Sequence, residues 1–261
     1  MIYAIGDVHG QLAKLDAALE RIERDGAGGP VVFLGDYVDR GPDARGVIDR
    51  IARGQREGRP WIALKGNHDR MFLRFVREAR VDDDFIKSGR TWLNPRLGGP
   101  MTLAAYLGGA PNFLHERGGG IDTLLSYEID VSARGRIDEI AAEARAAVPE
   151  DHLAWIDALP LWHEAGDLLF VHAGIRPGLP LHAQTEEDLI WIRDGFTDDP
   201  APHPWLVVHG HTALTEATHF GNRVDLDSGA GYGGPVTAAA FEDGAAYVLG
   251  ETGRERLDPP P

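Results

Sequence analysis

An α/β layered fold is the architecture this sequence predicts, and three observations predict it. Short apolar runs alternate with amphipathic stretches through the first third of the chain, a βαβαβα rhythm. Each of the first three strand-like runs ends in a polar cluster containing glycine, at 6–10, 35–41 and 66–69. Strand-length apolar runs return in the second half and close in short segments that read as an antiparallel meander.

Taken in order, Ile2–Ile5 is the first strand. A helical pattern follows from Leu12 to Ile22, with apolar residues at three- and four-residue spacing. Val31–Leu34 and Trp61–Leu64 are the next strands, and Val47–Ile51 and Met71–Val76 are the apolar stretches that separate and follow them. From about 80 to 160 the rhythm is lost. Glycine breaks at 98–99, 108–109 and 118–120 separate helices that include Ile137–Ala147 and His152–Leu159, so this part is expected to be a mostly helical insertion or cap. Strands resume at Leu168–Val171 and Leu206–Val208, followed by Glu216–Phe220, Arg223–Asp227, Val236–Phe241 and Ala245–Leu249. The last residues, ending in Pro259–Pro261, are expected to be disordered. One catalytic domain over residues 1–261 is the expected organisation.

Composition narrows the chemistry. A formal net charge of -15 repels phosphate backbones and disfavours general nucleic-acid binding, so an anionic substrate needs local cations. Lys14, Lys65 and Lys87 are the only lysines. Nearly all the positive charge is therefore arginine, the better fork for phosphate oxygens, although arginine-rich usage also follows from base composition. There is no cysteine, which excludes disulfides, thiolate nucleophiles and cysteine-type zinc sites together. No apolar run approaches membrane-spanning length, and Met1 leads straight into a strand carrying the first motif, so a cytoplasmic protein is expected.

Asp7 and His9 form a D-x-H pair past the first strand. Asp36 follows the second strand in GDYVDRG, Gly66-Asn67-His68-Asp69 follows the third, and His172 and His211 follow two later strands in VHAG and HGHT. Ligand sites of α/β folds gather at the carboxyl ends of strands, and Asp, His and Asn suit first-row divalent metals. A lone D-x-H is more often a turn or cap, and a lone GNHD an ordinary turn. The joint pattern, each block after an apolar run, is what argues for a site holding two ions.

The blocks GDVHG, GDYVDRG, GNHD, VHAG and GHT resemble the signature of the calcineurin-like metallophosphoesterases, and GDYVDRG is similar to the phosphoprotein phosphatases among them, in their bacterial branch. The likeness covers residues 6 to about 234 and leaves 80–160 without pattern. It implies a central β-sandwich of mixed sheets flanked by helices. It also implies Asp7 and His9 on a first metal, Asp36 bridging two, and Asn67, His172 and His211 on the second. His209 is expected to be structural or to support the ligands, with direct ligation left open. The family's GNHE is GNHD here, a change outside the ligands.

The same likeness makes His68 a proton donor to the leaving group with Asp39 orienting it, and Arg40 and Arg193 phosphate contacts. Tyr232, in the loop 227–234, either overhangs the site or decorates a glycine-rich hairpin. Trp92, Trp155, Trp162 and Trp205 are expected in core or cap packing; His115, His152, His163, His182, His203 and His219 follow no motif.

A bridging carboxylate offsets the repulsion of two close cations, and two cations acidify a shared water, so hydroxide attacks phosphorus in line without a phosphoenzyme. Mn²⁺ is the expected ion, with Fe or Zn as alternatives. The expected reaction is hydrolysis of protein phosphoserine or phosphothreonine, with phosphotyrosine and aryl phosphates as further substrates. The alternatives are a hydrolase of dinucleoside polyphosphates and a non-catalytic scaffold.

Overall fold

Two sheets face one another across an apolar interior, and helices cover the outer side of each. The computed structural model describes residues 1–85, 119–129, 131 and 136–260. Trp92, His115 and a large part of the expected cap lie outside the described residues.

The first sheet carries β1 (Ile2–Ile5), β2 (Val31–Phe33) and β3 (Trp61–Ala63) in parallel, linked through α1 (Leu12–Asp25) and α2 (Ala44–Arg56), with α3 (Asn67–Glu78) following β3. On the other side of β1 lie β9 (Ala238–Glu242), β10 (Ala245–Gly250) and β11 (Gly253–Leu257), all antiparallel, giving the order β11-β10-β9-β1-β2-β3. The second sheet runs β4 (Trp162–Ala165), β5 (Leu168–Val171), β6 (Leu206–His209), β8 (Arg223–Asp225), β7 (Thr218–His219). In it β5, β6 and β8 are parallel and the two edges antiparallel.

Side-chain alternation explains why the early strands read as continuous apolar runs. Ile2, Ala4 and Val32 point between the sheets to meet Phe170, Val208, Val224 and Phe241. Tyr3, Ile5 and Phe33 point outward to Leu15 and Leu19 of α1, Val47 and Ile51 of α2, and Phe72 and Phe75 of α3. Both faces are buried, so neither carries the polar alternation of a half-exposed strand. The cap contributes α4 (Gly120–Ser126), α5 (Ile137–Ala147) and α6 (Glu150–Asp157), whose Leu124, Ile140 and Ile156 join the same core as α2 and α3. On the far side, α7 (Glu186–Trp191) packs Leu189 and Ile190 against Leu169, Val171 and Val207.

Two strands depart from expectation. β4 and β11 are edge strands in WHEA and GRERL, too polar for an apolar-run reading, and backbone pairing to β5 and β10 makes them strands. The expected meander is split: β9, β10 and β11 form it in the first sheet, whereas β8 joins β6 in parallel in the second. Trp155 is partly buried against the core and donates to Gln55 Oε1, while Trp162 on the β4 edge is exposed rather than packed.

Candidate active site

The blocks converge at the carboxyl ends of β1, β2, β3, β5 and β6, where Asp7, His9, Asp36, Asn67, His68, His172 and His211 are all buried. The backbone there is unusual. Of the eight non-glycine residues with positive φ among those described, five are His9, Asp36, Asp39, Arg40 and His211. Asp and His tolerate this left-handed region better than most residues, and such strain concentrates where side chains must be aimed. A Cβ on Gly66 would collide with the Asp36 carboxylate, and one on Gly210 with that of Asp7, so both motif glycines permit close backbone approach.

Two groups of donor atoms result. His9, Asp36 and His68 form one, and Asp36, His172 and His211 the other, each with ligand-capable atoms within 4.8 Å of one another. Asp36 belongs to both. Its Oδ2 is 3.6 Å from His9 Nε2 and its Oδ1 is 3.4 Å from His172 Nε2. Asp7 Oδ2 lies 3.9 Å from His9 Nε2. Asn67 Oδ1 sits between His172 Nε2 at 2.9 Å and His211 Nδ1 at 2.8 Å.

The tautomers show what these atoms lack. His9 Nδ1 donates to Val38 O at 2.9 Å and His172 Nδ1 to Leu34 O at 2.8 Å. Burial holds both rings neutral, lowering His172 to about 4 and holding His9 well below the usual imidazole range. The His172 Nε2 lone pair therefore faces the Asp36 and Asn67 oxygens, and that of His9 faces Asp7 and Asp36 beside the Arg40 guanidinium, an arrangement of acceptors that draws positive charge. Carbonyl-anchored imidazoles are also how proteins fix metal-ligating histidines. Burial raises Asp36 to about 7 against the opposing effects of Arg40 and the His68 N–H, and raises Asp7 with help from Asp227 and Asp36. His211 Nε2 is buried with no protein partner among the described residues. This donor set fits two divalent cations.

Around it, His68 Nδ1 donates to Asp39 Oδ2 at 2.6 Å. Arg40 reaches both rings, with Nη1 2.6 Å from His9 Nε2 and Nη2 2.8 Å from His68 Nε2. Burial first, then Arg40, keeps the His68 imidazole well below its ordinary pKa. Arg193 Nη2 donates to His211 O at 3.1 Å, and the Tyr232 ring lies 4.8 Å from the Arg40 guanidinium carbon. Arg193 is delivered by α7, which starts in a capping box between Thr185 and Asp188.

His209 is not on the same face as His211. β6 ends at His209, and Gly210 and the left-handed His211 break the two-residue alternation. His209 Nε2 instead meets Arg223 Nη1 at 3.1 Å, its ring packs edge-on against Phe196, and it belongs to neither donor group.

Three residues had no role expected from the sequence. Asp69, the departure from GNHE, accepts the backbone N–H groups of Asp36, Tyr37 and Gly66, each at 2.9 Å, tying the second block to the third. Asp227 is buried beside Asp7 and accepts from Gly229 N at 2.9 Å. Thr123, in the cap, is hydrogen-bonded to Asp39. Asp69 sits inside a recognised block, whereas Thr123 carries no local signal at all.

Among curated proteins, the chain is 26% identical to a symmetrical bis(5'-nucleosyl)-tetraphosphatase of Paracidovorax citrulli, over 92% of each chain. It is 27% identical to serine/threonine-protein phosphatase 1 of Salmonella typhimurium, again over 92% of each. Among solved structures, a putative diadenosine tetraphosphatase superposes with a TM-score of 0.60 at 22% identity, covering 95% of this chain and 92% of that one. The calcineurin-like phosphoesterase family model matches residues 1–250. With that match spanning the strands that carry both donor groups, the chain belongs to the calcineurin-like phosphoesterases.

Proposed function

We propose that this phosphoesterase hydrolyses dinucleoside polyphosphates. The observation that carries the reading is a groove of about 520 Å³ lined by Arg193, Trp191 and Phe85, with Arg176 paired to Asp188 on its wall beside Glu187 and Asp194. An isolated phosphoryl group needs only the donor groups and the arginines beside them. A phosphate chain ending in a nucleoside needs further room, with guanidinium groups for the chain and flat aromatic faces for the base. The Paracidovorax citrulli relative, matched over 92% of each chain, supports the same substrate class. This reverses the order expected from GDYVDRG.

In this reading Asp7, His9, Asp36, Asn67, His172 and His211 hold two ions, with Mn²⁺ the favoured metal. Those ions supply Lewis acidity at phosphorus and an acidified water. The chain's own residues do the rest. Arg40 releases the two imidazoles it touches and takes phosphoryl oxygens in bidentate fashion, and Arg193 takes a second phosphate. Once Arg40 has moved off, His68 takes up a proton from solvent at Nε2 and passes it to the departing oxygen, while Asp39 holds Nδ1–H and stabilises the imidazolium. Tyr232, stacked on Arg40, borders the entrance.

One observation favours protein phosphoserine or phosphothreonine instead. The His68–Asp39 pair matters most when the leaving group is an alkoxide, since a departing nucleoside phosphate needs little protonation. The Salmonella typhimurium relative belongs with that reading. Catalytic efficiencies on diadenosine tetraphosphate and on a phosphoserine peptide, measured at equal Mn²⁺, separate the two. At least tenfold preference for the dinucleotide is expected, and a preference for the peptide overturns the proposal.

A further inference from the structure

We infer that Thr123 of the cap is a positioning residue for the His68–Asp39 pair, so that the cap takes part in the proton transfer as well as bordering the site. The inference rests on the hydrolytic reading above, and its effect on rate is largest for esters whose leaving group needs a proton.

Thr123 is fully buried on α4, 84 residues along the chain from Asp39. Its Oγ1 accepts the Asp39 backbone N–H at 2.8 Å and donates to Asp39 Oδ1 at 2.7 Å. A hydroxyl has one proton and two lone pairs, so a single threonine satisfies both geometries at once. The second possible acceptor of that proton, Gly119 O at 3.4 Å, is much longer. One Asp39 oxygen is thus engaged by Thr123 while the other accepts the His68 Nδ1–H at 2.6 Å.

The backbone bond has its own consequence. Asp39 and Arg40 are consecutive left-handed residues, with φ of 71° and 64°. Thr123 holds the N–H at the start of that pair, and so fixes the direction in which both the Asp39 carboxylate and the Arg40 guanidinium leave the loop. α4 is itself anchored at the start of α2, where Ser126 Oγ accepts from Arg45 N at 3.2 Å and donates to Thr123 O at 2.7 Å. Valine in place of threonine keeps shape and burial but removes both bonds, and so loosens the hold on the carboxylate that faces His68.

The test compares Thr123→Val and Thr123→Ser in the full-length, metal-loaded protein. Steady-state rates are measured on p-nitrophenyl phosphate, whose phenolate leaves unaided, and on phenyl phosphate, whose leaving group needs a proton. Thr123→Val is expected to lower kcat on phenyl phosphate about tenfold or more with KM unchanged, and to leave p-nitrophenyl phosphate within about twofold. Thr123→Ser is expected to restore the wild-type pattern. The low-field Nδ1–H proton resonance of His68, identified by its loss in His68→Asn, is expected to shift in Thr123→Val and return in Thr123→Ser.

Equal losses on both esters, or an unmoved resonance with unchanged kcat, would overturn the inference. A wild-type protein that hydrolyses none of these esters nor diadenosine tetraphosphate, yet shows the resonance shift, upholds the positioning role and overturns the hydrolytic reading instead.

Discussion

The two sheets supply the site on unequal terms. The first sheet, through the turns after β1, β2 and β3, brings Asp7, His9, Asp36, Asp39, Arg40, Asn67 and His68. The second brings single side chains on separate loops: His172, His211 and, through α7, Arg193. Candidate ligands on the first sheet therefore come with the proposed proton-handling and phosphate-handling groups one to four residues away, whereas the second sheet completes a donor group already begun by Asp36 and Asn67 and adds Arg193. Parallel strands that each return through one helix place consecutive turns side by side, so neighbouring blocks can bond each other through Asp69 and Asp39. In the second sheet one return runs through α7 and the next through the β7 edge strand, so its turns do not repeat in this way.

Four experiments sharpen or break this asymmetry. Asp36→Asn removes the carboxylate common to both groups and is expected to lower kcat by about three orders of magnitude, the upper range for one electrostatic group. Calorimetric titration with Mn²⁺ should show both sites weakened. Normal binding at either site would remove Asp36 from its bridging place.

Metal affinity should climb with pH. Burial holds the proton on Asp36 up to about 7 and on Asp7 above the usual carboxylate range, so an entering cation displaces protons. Apparent affinity is expected to rise about tenfold per pH unit for each proton displaced as pH climbs towards 7. In the metal-free protein the raised Asp36 contributes stability fully present below the unfolded pKa near 3.8, lost as pH rises through about 7. The buried histidines act in the opposite sense, losing stability as pH falls below about 6.5. The increase in Tm on adding Mn²⁺ should therefore be larger at pH 8 than at pH 6, and a smaller one would contradict the protonation scheme.

His209→Gln tests the second sheet without touching its ligands. Arg223 loses a buried partner, which costs about 1–3 kcal/mol in thermal unfolding, while Mn²⁺ stoichiometry stays unchanged. A lost metal equivalent would return His209 to the ligand set. The smallest effect is expected from Thr185→Ala, which removes the α7 cap at a cost of about 1 kcal/mol, read as a shift in denaturant midpoint. If KM for the preferred substrate rises as well, α7 sets the position of Arg193 and the second sheet contributes to substrate binding more than its sparse loops suggest.

The candidate ligands were legible because each stands in a short block whose chemistry and whose strand are adjacent in the chain. The helix Ile137–Ala147 was legible from its periodicity for a similar reason. β4 and β11 were not, since an edge strand is made by the backbone groups of its neighbour and WHEA and GRERL advertise nothing apolar. Asp69 was visible as a departure from GNHE, but the three N–H groups it gathers come from two different loops. His209 was expected to be structural or to support the ligands, but its partner Arg223 lies on another strand and leaves no mark beside it in the sequence.

By itself the sequence determined the α/β layering, the exclusion of thiol chemistry and the blocks that carry the candidate Asp, His and Asn ligands at strand ends, because periodicity and local blocks are properties of neighbouring residues. Only the tertiary structure decided that His209 turns away to Arg223 and that a threonine of the cap holds Asp39. Each of those depends on where a chain returns in space after tens of residues, and hydrogen bonds of that kind leave no periodic trace in the sequence.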